Sequence, residues 1–271
     1  MIVEHAYAKI NLALEVMNKK DGYHMVNNLM VPISIFDELS FEISDKVYVK
    51  NDNIEDNICV KAAKIFIEKF KINSGVCISI NKRIPIAAGL AGGSSDAAAT
   101  LRGLNRLFNI NASDEELMEL AKNLGSDVPF FINTKIALCT NRGEVIDYLN
   151  INVPKINLLL IKPNSGLSTK EVYMHYKWNG KSKKEQIINI ISSLNNNDIS
   201  TLKTNVFNDL SEAALSLNKE LNSIYNSLKN ITNIHISGSG PTMFIINPDD
   251  ELYDCLKKEY NDIFIEKVYT I

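Results

Sequence analysis

Pro85-Ile86-Ala87-Ala88-Gly89-Leu90-Ala91-Gly92-Gly93-Ser94-Ser95-Asp96 runs straight into Ala97-Ala98-Ala99-Thr100-Leu101. Beyond it Ala97, Leu101, Leu104 and Phe108 recur at helical spacing, so the stretch reads as a glycine loop that feeds a helix N-terminus. Glycine allows close approach of a ligand to the backbone, and the unpaired N–H groups of a helix start attract an anion, above all phosphate. Ser94 or Ser95 is placed to cap that helix. The spacing fits neither G-x-x-x-x-G-K-[ST] nor G-x-G-x-x-G, which disfavours a P-loop NTPase and a Rossmann dinucleotide site. A small-residue turn required only for close packing is the alternative.

Upstream, Tyr7 to Val16 alternates, with Ile10, Leu12, Leu14 and Val16 on one face and Lys9, Asn11 and Ala13 on the other. This predicts a half-buried strand on which Lys9 and Asn11 point the same way and can reach one ligand. A solvated lysine is the alternative. The turn Lys19-Lys20-Asp21-Gly22 delivers Tyr23 and His24, an aromatic and an imidazole suited to holding a flat ring or to packing beside a turn. Strands at Leu39 to Ile43 and Val47 to Lys50 and a helix capped near Asn57 follow, and Val76, Ile78 and Ile80 alternate into the glycine loop. Downstream, Ser113-Asp114-Glu115-Glu116 is a capping box, and Gly125 ends the helix it opens. Asp127 then stands among apolar residues, where a carboxylate serves as a cap or has a function.

A boundary is placed near Asn150 to Pro154, dividing the chain into residues 1–153 and 154–271. The second half is read as a strand from Ile156, a loop leading to Tyr173, and helices at about Thr201 to Ser216 and Lys219 to Leu228. A second glycine loop, Gly238-Ser239-Gly240-Pro241, a strand, a helix from Asp249 to Tyr260 and a last strand complete it. Helices mixed with hairpins indicate an α+β chain of two halves.

Composition narrows the partners. In 271 residues, 45% hydrophobic and 23% charged with a net charge of −3, nothing marks a nucleic-acid-binding surface. Cys59, Cys77, Cys139 and Cys255 lie far apart, and the four histidines show no ligand spacing, so neither a disulfide framework nor a metal cage is expected. No run is long enough to cross a bilayer and no leader pattern opens the chain, so the expected location is the cytoplasm. The oligomeric state is left open, with a monomer slightly favoured.

Four separated stretches, Ala8-Lys9-Ile10-Asn11-Leu12, Asp21-Gly22-Tyr23-His24, Pro85 to Ala98 and Ile236-Ser237-Gly238-Ser239-Gly240-Pro241-Thr242, resemble in order and separation the motifs of the GHMP kinases. These are small-molecule kinases named for galactose, homoserine, mevalonate and phosphomevalonate. The Lys-Ile-Asn strand, the Asp-Gly-Tyr-His turn and Gly125-Ser126-Asp127-Val128-Pro129-Phe130 resemble the branch that phosphorylates the 2-hydroxyl of a cytidine-diphosphate-linked methylerythritol, in isoprenoid precursor synthesis by the non-mevalonate route. The resemblance implies an N-terminal ATP-binding domain, a C-terminal ferredoxin-like α/β domain and an active site in the cleft between them. It further implies that Pro85, Ile86, Ala87, Ala88, Gly89, Leu90, Ala91, Gly92, Gly93, Ser94 and Ser95 wrap the ATP triphosphate. Asp127 would take the hydroxyl proton and Lys9 would orient that carboxylate. Asn11, Tyr23, His24 and Tyr173 would bind substrate, and Mg²⁺ would accompany ATP with its ligands unassigned. Asp96 either turns away from the phosphates or shares the metal. Ala91 replaces a glycine common in relatives and is tolerated if its φ is negative. A mevalonate, homoserine or sugar kinase, or a non-catalytic phosphometabolite-binding homologue, is the competing reading.

Overall fold

A computed structural model describes residues 1–50 and 56–271. The chain opens with two long strands, β1 (Ile2–Lys20) and β2 (Tyr23–Ser44), joined through Asp21 and Gly22, both at positive φ. There follow β3 (Tyr48–Val49), α1 (Ile58–Lys69), β4 (Gly75–Asn81), α2 (Gly92–Leu107), α3 (Asp114–Lys122), α4 (Phe130–Asn133), β5 (Ala137–Asn141) and β6 (Val145–Tyr148). Then come β7 (Asn157–Lys162), α5 (Thr169–His175), α6 (Lys184–Asn195), α7 (Ile199–Asn205), β8 (Phe207–Asn208), α8 (Ser211–Leu217) and α9 (Lys219–Leu228). The chain closes with β9 (Ile234–Ile236), β10 (Met243–Ile246), α10 (Asp250–Glu259) and β11 (Phe264–Tyr269).

Two compact units form, and they do not divide the chain at residue 153. One comprises Met1–Ala8, Ile35–Ile86 and Ala91–Lys135, the other Lys9–Ser34, Ala87–Leu90 and Ile136–Ile271. The reason is the length of β1 and β2, each of which runs through both units.

In the first unit β4 lies between β2, antiparallel with Glu38 opposite Asn81, and β3, parallel with Tyr48 opposite Cys77. Helices α1 and α2 pack together, burying Ala62, Ala63 and Phe66 of one and Ala97, Leu101 and Leu104 of the other. Gly103 is required here, because a Cβ on it would stand 2.3 Å from the Phe41 ring. Local chemistry matches expectation at two helix starts: Asn57 accepts from the Cys59 N–H to cap α1, and Ser113 with Glu116 forms the reciprocal capping box of α3.

In the second unit the four-stranded sheet runs β11-β7-β10-β9, antiparallel throughout. Numbered within that sheet the order is 4-1-3-2, with α8 and α9 between its first two strands and α10 between its last two. This is the ferredoxin-like arrangement. Leu159, Ile161, Leu221, Ile224, Ile236, Met243 and Ile245 form its core. The helix expected over Thr201 to Ser216 is instead broken into α7 and α8. Between them Phe207–Asn208 pairs in parallel with Ala13 and Leu14 of β1, and the Asn208 side chain donates to the carbonyls of Ile236 and Gly238 and accepts from the Leu210 N–H. Helical periodicity cannot reveal a polar side chain recruited by a distant strand.

Candidate active site

Strand β1 is buried on both faces from Ala8 to Val16, where alternation had suggested only one covered face. Lys9 and Asn11 are therefore enclosed, at 3% and 1% exposure, and a buried ammonium needs polar partners. Lys9 Nζ donates to Asn11 Oδ1 at 2.8 Å and to the Gly89 carbonyl at 3.1 Å. Asn11 Nδ2 donates to Asn28 Oδ1, and the Ser237 hydroxyl lies against both Asn11 Oδ1 and the Gly89 carbonyl. The solvated-lysine alternative is thereby set aside.

Both glycine motifs meet this lysine. The Lys9 N–H donates to the Leu90 carbonyl and the Thr242 N–H to the Ala88 carbonyl, tying the segment Ala87–Leu90 to β1 and to the second loop. Gly89 has φ +74° and a Cβ there would lie 2.4 Å from the Ser237 carbonyl. Gly238, at φ +57°, would bring a Cβ to 3.3 Å from Lys9 Nζ. Side chains are excluded at both positions, so the backbone can pass within contact of the ammonium.

The start of α2 departs from the sequence expectation. Neither Ser94 nor Ser95 caps it: the helix already begins at Gly92, with Ala91 at the cap position and no side-chain hydrogen bond to the first turn. Ala91 has φ +56°, not the negative value assumed, and Ala87 is likewise left-handed at +52°. With no side-chain cap and no acidic residue in the first turn, the leading N–H groups of α2 are of the kind that hold anions. Gly93 is exposed and Ser94 half-exposed, whereas Ser95 is buried, and Ile86 projects outward at 81% exposure.

Asp127 lies in the turn between α3 and α4, half-buried and followed by the buried Val128 and Phe130. It belongs to the first unit and Lys9 to the second.

His24 sits 5.9 Å from Tyr173 and 5.8 Å from Tyr176, ring centre to ring centre. Its Nδ1 is 2.8 Å from the Met17 carbonyl, a contact that requires a proton on Nδ1 and leaves Nε2 as an acceptor in the neutral ring. Tyr23, the preceding residue along the strand, is 58% exposed with the Arg142 guanidinium 4.2 Å from its ring centre. Tyr176 was not singled out in the sequence. Its hydroxyl donates to the Val16 carbonyl, and burial and then the Asp209 carboxylate hold its pKa well above the usual phenol range. Asp209 also accepts from the Val16 N–H and from Lys183, so the ring behind His24 is anchored by a charged network. Two further residues escaped sequence reading: Asp37 and Lys82, which with Asp96 form an ionic cluster of two enclosed carboxylates and a partly exposed ammonium. A carboxylate inside the apolar run of β2 is the one local signal that pointed to it.

Residues 57–135 match the GHMP kinases N terminal domain family. A 4-diphosphocytidyl-2-C-methyl-D-erythritol kinase of Clostridium beijerinckii is 41% identical over 97% of this chain and 98% of its own. One of Thermoanaerobacter pseudethanolicus is 38% identical over 97% of this chain and 94% of its own. Among solved structures, a 4-(cytidine 5'-diphospho)-2C-methyl-D-erythritol kinase superposes with TM-score 0.84 at 27% identity, covering 99% of each chain. A homoserine kinase from Cytophaga hutchinsonii, TM-score 0.72 at 18% identity over 98% of this chain and 94% of that one, shares the fold.

Proposed function

Because the chain belongs to the 4-diphosphocytidyl-2-C-methyl-D-erythritol kinase family, we propose that it moves the γ-phosphoryl group of ATP onto the 2-hydroxyl of the cytidine-diphosphate-linked methylerythritol. The observation that carries this reading is the buried Lys9, held by Asn11 and by the carbonyl of Gly89 in the glycine loop. A buried ammonium held beside a glycine loop is suited to stabilise negative charge that develops there.

Phosphoryl transfer asks chiefly for positioning and charge stabilisation. In the proposal the residues from Pro85 to Ser95 cradle the triphosphate through backbone N–H groups. Asp127 accepts the proton of the attacking hydroxyl, a role generally worth ~10²–10⁴-fold. Lys9 orients that carboxylate and offsets charge on the attacking oxygen. Asn11 commits its oxygen to Lys9 and one amide proton to Asn28, which leaves one N–H for substrate. Tyr23 and Tyr173 hold the cytosine faces, and the acceptor Nε2 of His24 suits the exocyclic amine on the base edge.

Mg²⁺ enters the proposal with the nucleotide. Among the described residues no three His, Cys, Asp or Glu side chains gather as a metal site, and Asp96 is engaged by Lys82. Mg²⁺ accompanying ATP would be held by the phosphates, by water and by at most one or two carboxylates. No step is assigned to it. No helix among the described residues is long and apolar enough to cross a membrane. Action in the cytoplasm on small molecules, without nucleic acid or membrane, completes the proposal, with the oligomeric state open and a monomer slightly favoured.

The test is ATP consumption with a panel of alcohols: the cytidine-linked methylerythritol, mevalonate, homoserine and a sugar. Turnover only with one of the last three would overturn the substrate assignment. No turnover with any of them, in folded protein that binds ATP, would favour a non-catalytic homologue. The His24–Tyr173 pair favours the cytidine-bearing alcohol, since neither homoserine nor mevalonate carries a flat ring.

A further inference from the structure

The Asp37–Lys82–Asp96 cluster has no part in the chemistry above, yet it spans the loop on which that chemistry depends. Lys82 is the first residue after β4, Asp96 lies in the second turn of α2, and Asp37 comes from β2, all within the first unit. The ammonium donates to Asp37 Oδ2 at 2.5 Å and to Asp96 Oδ2 at 2.7 Å. Asp37 Oδ1 accepts from the N–H groups of Arg83 and Ile84, so this carboxylate also holds the backbone that leads into the loop. A Cβ on Gly92 would lie 3.6 Å from Lys82 Nζ, which places the ammonium beside the first residue of α2.

The cluster is not balanced. Two enclosed carboxylates, Asp37 at 0% and Asp96 at 4% exposure, share one ammonium, and Asp96 Oδ1 is buried with no hydrogen-bond partner among the described residues. Burial pushes the Asp96 carboxyl up to about 7, with Lys82 opposing the rise and Asp37 adding to it. Lys82 is raised: burial works against its charge, and the two carboxylates outweigh burial. Cys59 of α1 also faces Asp96, and burial pushes its thiol up to about 12, so it stays neutral. An apolar residue or an amide would be the less costly occupant of position 96.

We infer that Lys82 and Asp96 are positioning residues: the carboxylate–ammonium–carboxylate bridge sets where the chain leaves β4 and where α2 begins, and so aims the leading N–H groups of α2 at the ATP phosphates. This rests on the reading that the loop binds ATP.

The test compares Asp96→Asn, Lys82→Met, Lys82→Arg and Gly93→Val in steady-state kinetics with ATP and the cytidylyl alcohol varied separately, beside thermal unfolding of each protein. Asp96→Asn and Lys82→Met are expected to raise the KM for ATP about tenfold or more while leaving the KM for the alcohol within about twofold, and Lys82→Arg to recover most of the loss. Gly93→Val is the control, because among the described residues a Cβ at Gly93 meets nothing within 4 Å beyond its chain neighbours and its own helix backbone. Unchanged ATP KM in Asp96→Asn beside a raised one in Gly93→Val overturns the inference and leaves the loop assignment standing. Unchanged ATP KM in Gly93→Val as well overturns the loop assignment. Parallel loss of stability and of both KM values would mark general damage and also overturn the inference. Should Asp96→Asn fail to fold, the two Lys82 variants decide alone: an Arg no better than Met refutes positioning by the bridge.

Discussion

Asp96→Asn sets two estimates of opposite sign against each other. If the pair with Lys82 is a net stabiliser, removing Asp96 from it costs up to ~3 kcal/mol, below the ~3–5 kcal/mol of a fully buried pair because the ammonium is partly exposed. If the second carboxylate is surplus, the pKa decides the sign. Folding raises the Asp96 carboxyl from 3.8 to about 7. The folded chain therefore holds a proton that the unfolded chain has lost between those pH values. Stability attributable to this group is then fully present below pH 3.8 and lost as pH rises toward 7. A rise of that size corresponds to a loss on the order of 4 kcal/mol. The amide that replaces the carboxyl cannot ionise, so the variant lacks this slope and leaves Asp37 and Lys82 as a neutral pair. We expect wild type and variant to be of similar stability near pH 5 and the variant to be more stable by ~2–4 kcal/mol at pH 8, with part of the gain lost to an unsatisfied amide. Urea titrations of both proteins at four pH values from 5 to 8 measure the gap. A variant less stable by ~3 kcal/mol at pH 8, with a gap that does not change with pH, would refute the surplus-charge argument.

Asp127→Asn should lower kcat by ~10²–10⁴ while ATP affinity, measured by calorimetry, stays nearly unchanged. Lys9→Ala should lower kcat similarly, and the double variant should lose less than the product of the two effects; strict additivity would argue against a coupled pair. Tyr173→Ala should raise the KM for the cytidylyl alcohol far more than that for ATP, since base stacking is worth ~1–3 kcal/mol and lies away from the transferred group; an effect confined to ATP would move this ring to the adenine. Gly89→Ala should unfold at a lower temperature, because its Cβ would stand 2.4 Å from the Ser237 carbonyl in a left-handed backbone; unchanged unfolding would show that the loop relaxes freely.

Much of the candidate site was legible because it is written at short range. Lys9 and Asn11 alternate onto one strand face, and alternation alone brings an ammonium and an amide oxygen within hydrogen-bond reach. The capping box at Ser113, the cap at Asn57 and the two glycine loops are local chemistry too, and each lies where the chain pattern put it. What the sequence could not decide depends on what packs against a residue from elsewhere. The order 4-1-3-2 in the second unit follows from how strands find partners, not from any one strand's pattern. Ser94 and Ser95 have the right chemistry for a cap, but the backbone turns left-handed at Ala91 and starts the helix before them. Asn208 breaks a periodic helix because carbonyls near Ile236 need a donor. Asp37, Lys82 and Asp96 are separated by 45 and 14 positions, and only the fold turns three ordinary charges into one unbalanced cluster with both carboxylates enclosed. Periodicity encodes which face of an element is buried; the energy of a charge depends on which charges share its burial, and that is settled only when the chain has closed around them.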